Sequence, residues 1–244
     1  MPENYKQFKR PPKKYEPKGM TILFEDRDII VIDKSSGLLS MGNDKEQMRT
    51  AFTNLTDYVC KGNYKSKHRV FIVHRLDRET SGVLVFAKTL EVKQFLQETW
   101  HEFEKTYFAV VHGHMPEDEG SISSYLVEHG INKMYSATNP EQKKKGKLAT
   151  TCYKVLRQND DCSLLELKIL SGRKHQIRVH LADKGCPIIG DKKYASTAKG
   201  GKKARRLALH AAELAIKHPF SKKDFVIKTP VPPYFESLVR QGKG

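Results

Sequence analysis

Asp77 has the surroundings best suited to chemistry in this sequence, because it lies in a short charged segment between two apolar runs. The segment reads His74-Arg75-Leu76-Asp77-Arg78-Glu79-Thr80-Ser81-Gly82, so arginines stand on both sides of the carboxylate. Nearby positive charges stabilise an ionised carboxylate, which can attack an electrophilic carbon and form a covalent intermediate. The same residues could instead form an ion pair that fixes a turn, and residue types alone leave both interpretations open.

The nine-residue segment resembles the catalytic motif of the RluA-type pseudouridine synthases, in which His-Arg-Leu-Asp is followed by a polar stretch and Ser-Gly. The similarity continues through residues 83–88. The resemblance implies that Asp77 is the nucleophile and that Arg75 helps to displace a flipped base and to fill its place. We expect the flanking His74 and Arg78 to contact the substrate as well.

A second similarity begins at Lys105, where Lys105-Thr106-Tyr107-Phe108-Ala109 resembles the Lys-x-Tyr-x-Ala strand of the same family. The resemblance implies that Tyr107 stacks on the target base and takes part in proton transfer. A tyrosine suits both roles, since it offers a flat aromatic face and a hydroxyl. Without the resemblance, this residue would be read as a core aromatic of an amphipathic strand.

A third similarity covers Leu170-Ser171-Gly172-Arg173-Lys174-His175-Gln176-Ile177-Arg178-Val179-His180. It implies that Arg173 pairs with the catalytic carboxylate and that Leu170 packs near the base. A guanidinium can hold a carboxylate through two parallel hydrogen bonds. Ser35 stands where relatives usually have proline, and Lys174 stands where they usually have threonine, but neither change removes a catalytic group.

His175 and His180 could suggest a zinc site, but their spacing does not favour one. They are five residues apart, whereas two ligands on one helical face are four apart, and no H-E-x-x-H glutamate accompanies them. We therefore predict no metal and assign these histidines to buried hydrogen bonds. Isomerisation involves no redox change and no loss of a group, so we also predict no cofactor.

The elements that must position these residues are mainly strands. Short apolar runs bounded by charged or turn-forming residues predict strands at 22–24, 29–32, 70–73, 83–87, 106–112, 121–127, 148–156, 163–170, 207–212 and 225–228. Helical spacing of apolar residues predicts helices at 48–59, at 92–103 with Thr89 as N-cap, at 175–183 before Gly185, and from Pro233.

Strands outnumber helices in this pattern and do not alternate with them, which indicates an α+β fold with a mixed, mostly antiparallel sheet. The resemblance implies a pseudouridine synthase-like fold with helices and loops around the sheet and a central active-site cleft. It extends over about Thr21 to Leu238. We therefore predict one catalytic domain over residues 21–244, without the S4 RNA-binding domain of many relatives, behind a basic, disordered arm at residues 1–20.

The net charge of +16 indicates a polyanionic partner. Two lysine-rich stretches, 142–147 and 199–206, could approach phosphates through their glycines or could simply be solvated loops. The four cysteines form no C-x-x-C pair, and no long apolar run or signal sequence is present, so we expect a cytoplasmic protein that does not enter membranes.

These features together predict an RNA pseudouridine synthase, an isomerase that acts on structured rRNA or tRNA and works as a monomer. Asp77 would either attack the sugar or the uracil ring, or assist C–N cleavage through a glycal. One alternative is a non-catalytic RNA-binding protein or RNA chaperone built on the same scaffold. Another is a metal-dependent nucleic-acid hydrolase, which the sequence disfavours because it contains no clustered carboxylates or histidines.

Overall fold

The computed structural model describes residues 16–42, 49–61, 63, 65–130, 133–195 and 204–240. The strands within these ranges are β1 (Met20–Glu25), β2 (Ile29–Lys34), β3 (Phe71–Ile72), β4 (Ser81–Ala87), β5 (Glu104–His112), β6 (Glu119–His129), β7 (Lys133–Ser136), β8 (Lys147–Gln158), β9 (Cys162–Ile169), β10 (Leu209–Lys217) and β11 (Asp224–Lys228). The α-helices are α1 (Ala51–Cys60), α2 (Leu90–Glu98), α3 (Pro140–Lys145), α4 (Gln176–Asp183) and α5 (Pro233–Val239). The fold is α+β, as predicted.

The chain forms two compact units. The first unit contains Met1–Phe103 and Glu213–Thr229, and the second contains Glu104–Ala212 and Pro230–Gly244. The single catalytic domain expected from the sequence stays a prediction. Most of the predicted basic arm and part of the lysine-rich stretch at 199–206 lie outside the described residues.

The first unit is built around β2, whose run Ile29–Ile32 is completely buried. This strand pairs antiparallel with β1 on one side and with β4 on the other. Side chains of β2 and β4 pack with Leu96 of α2 and with Leu214 of β10 in one apolar cluster. Strands covered on both faces read as continuous apolar runs, which is why the sequence pattern located these two strands.

Helix α2 is shorter than the apolar spacing indicated. Its predicted cap is confirmed, because the Thr89 side chain accepts a hydrogen bond from the Val92 N–H. The helix ends at Glu98, where the Thr99 hydroxyl donates to the Phe95 carbonyl at 2.7 Å and closes the last turn. A 3-10 turn over Trp100–Glu102 follows, so aromatic residues of the predicted stripe reach the core from outside the helix.

The second unit contains an antiparallel sheet in the order β5-β9-β8-β6-β7. Its core includes Leu165 and Leu167 of β9, Ile177 of α4 and Phe235 of α5. Strand β7 was not predicted from the sequence, because its four residues include only one buried apolar side chain, Met134.

The lysine-rich stretch at 142–147 is partly helical, which corrects its interpretation as a loop. The Asn139 side chain caps α3 by accepting from the Gln142 N–H at 2.9 Å, and Pro140 occupies the first turn. Proline is well tolerated there because that N–H has no partner within the helix. Among the described helices, none is long and apolar enough to cross a membrane.

Candidate active site

Asp77 lies in the connection between β3 and β4, in the first unit, together with the other predicted residues of its motif. A hydrogen bond from the Thr80 N–H to the Asp77 carbonyl, at 3.2 Å, closes the turn that follows the carboxylate. Leu76 is buried, Asp77 is half-buried, and Arg75 and Arg78 are exposed. The turn is therefore anchored through Leu76 while its charged side chains remain accessible to a ligand.

The backbone of this turn is held by residues 34–40, which we call the brace segment. The Ser40 hydroxyl donates to the Leu76 carbonyl at 2.7 Å and accepts from the Leu76 N–H at 3.1 Å. The Ser36 hydroxyl donates to the Glu79 carbonyl at 2.7 Å. The residues on both sides of Asp77 are thus fixed by side chains from one distant segment.

Lys34 is the most deeply buried member of the brace segment, with no exposed surface. Its ammonium group donates to three backbone carbonyls, those of Ser35, Leu38 and Arg78, at 3.1, 2.8 and 3.1 Å. Burial lowers the pKa of Lys34 to about 7, although the negative charges of Asp77 and then Asp33 oppose this shift. Lys34 therefore places a buried titratable group next to the predicted nucleophile.

Gly37 supplies a second hydrogen bond to the Arg78 carbonyl, from its N–H at 2.8 Å. The φ angle of Gly37 is +95°, which side chains of L residues rarely adopt. The conformation that brings this N–H onto the turn therefore requires glycine.

His74 is fixed by contacts within the first unit. Its Nε2 atom accepts a hydrogen bond from the Val85 N–H at 3.1 Å, so the neutral ring carries its proton on Nδ1. The ring also stacks on Trp100, with centroids 4.2 Å apart and planes inclined by 29°. These contacts explain why a histidine suits this position, while its expected contact with substrate stays a prediction.

Tyr107 lies in the second unit, on β5, where it pairs with Leu167 of β9. The ring is half-buried and packs against the main apolar cluster of that unit. Two residues earlier, burial lowers the pKa of Lys105. Tyr107 therefore has the partial exposure that stacking on a base requires, while its catalytic role stays a prediction.

Arg173 occupies the turn that connects β9 to α4, and its side chain is exposed. Its Nε donates to the Leu148 carbonyl at 3.3 Å. Leu170, at the start of this turn, is 65% exposed, and its N–H donates to the Thr150 carbonyl at 3.1 Å. The exposed side chains of Leu170 and Arg173 therefore lie on a turn that is hydrogen-bonded to the first residues of β8.

Gln176 organises the turn that carries Arg173, although the sequence did not single it out. Its Oε1 accepts from the Arg173 N–H at 3.1 Å and from the Ser171 hydroxyl at 2.8 Å. Its Nε2 donates to the Thr150 carbonyl at 2.9 Å and to the Thr151 hydroxyl at 3.1 Å. This buried amide therefore joins the turn to β8, with two hydrogen bonds to the turn and two to the strand.

The two histidines considered as zinc ligands make hydrogen bonds in the second unit. His180 is fully buried between the hydroxyls of Thr151 and Ser124, at 2.9 and 3.0 Å, and burial lowers its pKa. His175 lies 2.7 Å from the Tyr194 hydroxyl through Nδ1. Its φ angle of 54° puts a non-glycine residue in the left-handed region, directly after the turn that carries Arg173.

One group of side chains in the first unit has the composition of a metal site, namely Asp26, Asp28 and His218. His218 Nε2 lies 2.8 Å from Asp26 Oδ2, and Asp26 Oδ1 accepts from the N–H groups of Asp28 and Ile29 at 2.8 Å each. Both carboxylate oxygens of Asp26 and the Nε2 atom of His218 are therefore already engaged in hydrogen bonds within the fold. We therefore interpret the group as a buried polar corner of the fold.

A buried ion pair joins α4 to the segment that follows it in the chain. Arg178 binds Asp191 through two hydrogen bonds, with Nε at 2.7 Å and Nη2 at 2.9 Å from the carboxylate oxygens. Burial alone would raise the pKa of Asp191, but Arg178 and the N–H groups of Lys193 and Tyr194 hold it below its usual value. The Arg173 turn is therefore followed by a helix with strong tertiary anchoring.

The sequence predictions located both turns but missed the residues that hold them. Lys34, Ser40 and Gln176 were given no role in the sequence predictions. A lysine at the end of the buried run of β2 was a usable signal, because a fully buried lysine is almost always paired or hydrogen-bonded. The partners of Ser40 and Gln176 could not be inferred from any local pattern.

The strongly basic composition indicates a nucleic-acid partner, and the anchored turn presents the carboxylate of Asp77 at a position that a ligand could reach. A family model described as RNA pseudouridylate synthase matches residues 28–183, which include every predicted site residue. The chain belongs to this family and is an RNA pseudouridine synthase, an isomerase, as predicted.

Similar proteins support the same assignment. The dual-specificity RNA pseudouridine synthase RluA of Yersinia pestis is 38% identical over 207 residues, covering 82% of this chain and 93% of that protein. The tRNA pseudouridine synthase C of Vibrio parahaemolyticus is 32% identical over 242 residues, covering 91% and 94%. The solved structure of human RNA pseudouridylate synthase domain containing 4 shares the fold with a TM-score of 0.72, at 24% identity, covering 88% and 90%.

Proposed function

We propose that this protein isomerises uridine to pseudouridine at specific positions of rRNA or tRNA, with Asp77 as the nucleophile acting on a flipped base. The observation that carries the proposal is the turn around Asp77. Its carboxylate is half-buried, and the residues on both sides are fixed by hydrogen bonds from the brace segment. A nucleophile held in one geometry avoids the entropic cost of finding that geometry at each turnover.

The proposed roles of the other residues follow from their chemistry. Extruding a stacked base costs a few kcal/mol, and exposed Arg75 has the length and charge to fill the vacated space and contact phosphates. Arg173 is proposed to hold the carboxylate of Asp77 in its reactive form, and Leu170 to cover the uracil. His74 and Arg78 are proposed to contact the nucleotide around the reacting centre.

The reaction breaks the C–N glycosidic bond and forms a C–C bond between the same sugar and the same base. Asp77 would assist this step by bonding to the sugar or the ring, or by removing a proton so that the sugar passes through a glycal. Tyr107 would then move the proton that leaves C5 of the ring after the base has rotated. All heavy atoms of the uridine are retained, the C5 proton is lost to solvent and N1 gains a proton, so the residues named here need no external oxidant or reductant.

The two RNA classes named in the proposal come from the names of the relatives. The protein from Yersinia pestis is named as dual-specificity, and that from Vibrio parahaemolyticus as a tRNA enzyme. Nucleotides in loops and bulges are the easiest to extrude, because they are already partly unstacked. We therefore propose a uridine in a structured loop as the target.

The proposal is tested by tritium release from tRNA and large-subunit rRNA transcripts that carry [5-³H]uridine. Asp77→Asn should abolish release while RNA affinity stays within about twofold, because the substitution keeps shape and removes the charge needed for chemistry. Asp57→Asn is the matched control, since Asp57 is an exposed aspartate of α1 in the same unit. Normal turnover by Asp77→Asn would remove the nucleophile assignment.

A further inference from the structure

The second unit exposes an aromatic surface outside the residues assigned to catalysis. Tyr125 of β6, Tyr135 of β7 and Leu148 of β8 are 39%, 40% and 51% exposed. Tyr125 pairs with Leu148, and Val127 pairs with Tyr135. Because side chains alternate along a strand and paired residues share a side, these four lie on one face of the sheet. We call this surface the tyrosine face.

Positive charge borders the tyrosine face on the side of α3. Residues 133–147, which contain β7 and α3, include five lysines and one glutamate. At the end of α3, a Cβ placed on Gly146 would lie 3.0 Å from Tyr125 Cβ and 3.1 Å from Val127 Cγ1, so the chain crosses this face in close contact. The exposed lysines 143–145 of α3 therefore lie at its border.

Two further charges lie near this surface. Lys133 Nζ lies 5.1 Å from the centroid of the Tyr135 ring. Glu141 lies in the first turn of α3, where the helix dipole favours a carboxylate, whereas Glu128, which pairs with buried Met134 in the sheet, lies on the opposite face. The border of the face thus keeps a surplus of cations.

The tyrosine face is connected to the Arg173 turn within the same unit. Leu148, which pairs with Tyr125, accepts the hydrogen bond from Arg173 through its carbonyl. Two residues on, the Thr150 N–H donates to the Ser171 hydroxyl at 3.2 Å. Strand β8, which carries Leu148 of the tyrosine face, is therefore hydrogen-bonded to the turn that carries Arg173.

We propose that the tyrosine face and α3 bind the unpaired nucleotides that flank the target uridine, with bases stacked on Tyr125 and Tyr135 and phosphates bound by Lys143, Lys144 and Lys145. This inference rests on the proposed function, because it requires RNA at the Arg173 turn. Exposed aromatic rings beside a basic border are the usual platform for single-stranded nucleic acid. An apolar protein partner would not need the surplus of lysines.

The charge component is tested by Lys143→Gln/Lys144→Gln/Lys145→Gln. The control is Lys217→Gln/Lys223→Gln/Lys228→Gln, which removes the same charge from exposed positions of the β10–β11 hairpin. Each phosphate contact to a single strand contributes about 0.7 to the slope of log Kd against log salt. We expect the first variant to raise KM about tenfold, to lower this slope by about 2, and to keep kcat.

The aromatic component is tested by Tyr125→Ala and Tyr135→Ala, with Tyr→Phe at both positions as the conservative control. Each alanine variant should raise the Kd for RNA about tenfold, as expected for the loss of one stacked base. Phenylalanine should preserve binding, because it retains the ring. Unchanged melting temperatures exclude a folding defect in the exposed alanine variants.

The outcomes separate this inference from the proposed function. Binding is measured in the Asp77→Asn background, so it does not depend on catalysis. If the wild type releases tritium while the lysine and tyrosine variants bind RNA like their controls, the tyrosine face is not an RNA surface and the proposed function survives. If no RNA releases tritium but these variants still weaken binding, the surface stands and the activity fails.

Discussion

The turn around Asp77 and the turn around Arg173 are held by different sets of side chains. The first is held by partners far away in sequence, since Lys34 and Arg78 are 44 residues apart and Ser40 and Leu76 are 36 apart. The second combines a local contact, because Gln176 lies only three residues after Arg173, with hydrogen bonds from the turn and from Gln176 to Leu148 and Thr150 of β8. Both turns therefore depend on long-range contacts, but the second also has a nearby side chain that accepts from its own backbone.

The two turns also differ in what they expose. The Asp77 turn buries Leu76 and an entire lysine beneath a half-buried carboxylate, whereas Leu170 and Arg173 are exposed on the other turn. We infer that the first turn sets the geometry of the reacting group and the second turn reaches for the substrate. Changes at the first turn should therefore affect stability and turnover together, and changes to the exposed side chains of the second should affect turnover alone.

Arg173→Ala should produce the largest effect after loss of the proposed nucleophile, Asp77. We expect kcat to fall about 100-fold, as when one charge-stabilising donor is removed from an enzyme site. The melting temperature should not change, because the side chain is exposed and makes one hydrogen bond, to Leu148. The measurement is tritium release together with thermal unfolding, and Lys184→Ala is a control for an exposed cation of the same unit.

A similar kcat for both alanine variants would show that Arg173 plays no part in the reaction. A fall in melting temperature equal to that of a core substitution would show that the Arg173 turn is structurally as demanding as the Asp77 turn. Either result would remove the distinction between the two turns.

Ser40→Ala should be the next largest change. It removes one donor and one acceptor and leaves both polar groups of the buried Leu76 backbone without their side-chain partner. Each buried group without a partner costs about 1–3 kcal/mol, so we expect a destabilisation of roughly 2 kcal/mol and a several-fold lower kcat. Chemical denaturation and single-turnover kinetics measure the two effects.

Ser40→Thr retains the hydroxyl and should recover part of the activity lost in Ser40→Ala. Ser66→Ala is a second control, because Ser66 also accepts from a backbone N–H but lies away from the turn, in an exposed segment. Destabilisation of Ser40→Ala without any change in kcat would mean that the brace segment supports the fold but does not position Asp77.

The contrast between the turns also explains what could be predicted from the sequence. The apolar runs at 70–73 and 83–87, which correspond to β3 and β4, and the motif between them placed the first turn between two strands correctly. The contacts of Ser40 could not be predicted, because they join segments 36 residues apart and depend on how β1, β2 and β4 pair.

The second unit was harder to predict where its elements are polar. The six residues of α3 include three lysines and no buried residue, so no apolar stripe marks the helix. The signal that was present is the pair Asn139-Pro140, which suits an N-cap and a first helical position. Arg173 itself was located by its motif, but the role of Gln176 emerges only from the position of β8.

Gln176→Met should have a smaller effect on the reaction than Ser40→Ala. Methionine retains much of the volume, but the Arg173 N–H and the Ser171 hydroxyl lose their acceptor. We expect kcat/KM to fall a few-fold and stability to fall by about 1–2 kcal/mol, because the Arg173 turn keeps its other bonds to β8. A larger loss of kcat than in Ser40→Ala would mean that the support of the Arg173 turn matters more for the reaction than the support of the Asp77 turn.

The last prediction concerns stability and not the reaction: its pH dependence should separate the two turns, because of these two turns only the first lies above a buried lysine. The pKa of Lys34 is about 7 in the folded protein against 10.5 for the ordinary group. Between these values the unfolded chain binds one more proton than the folded chain at this site, so stability should rise with pH across the window. The slope should approach about 1.4 kcal/mol per pH unit.

Denaturation curves from pH 6.5 to pH 9.5 should therefore show a rising contribution in the wild type that Lys34→Met lacks. Asp77→Asn should move the start of the rise to lower pH, because the charge of Asp77 is what opposes the lowering of the Lys34 pKa. Arg173→Ala should leave the curve unchanged. Parallel curves for the wild type and Lys34→Met would mean that the three carbonyls keep the ammonium charged, and the brace segment would then be insensitive to pH.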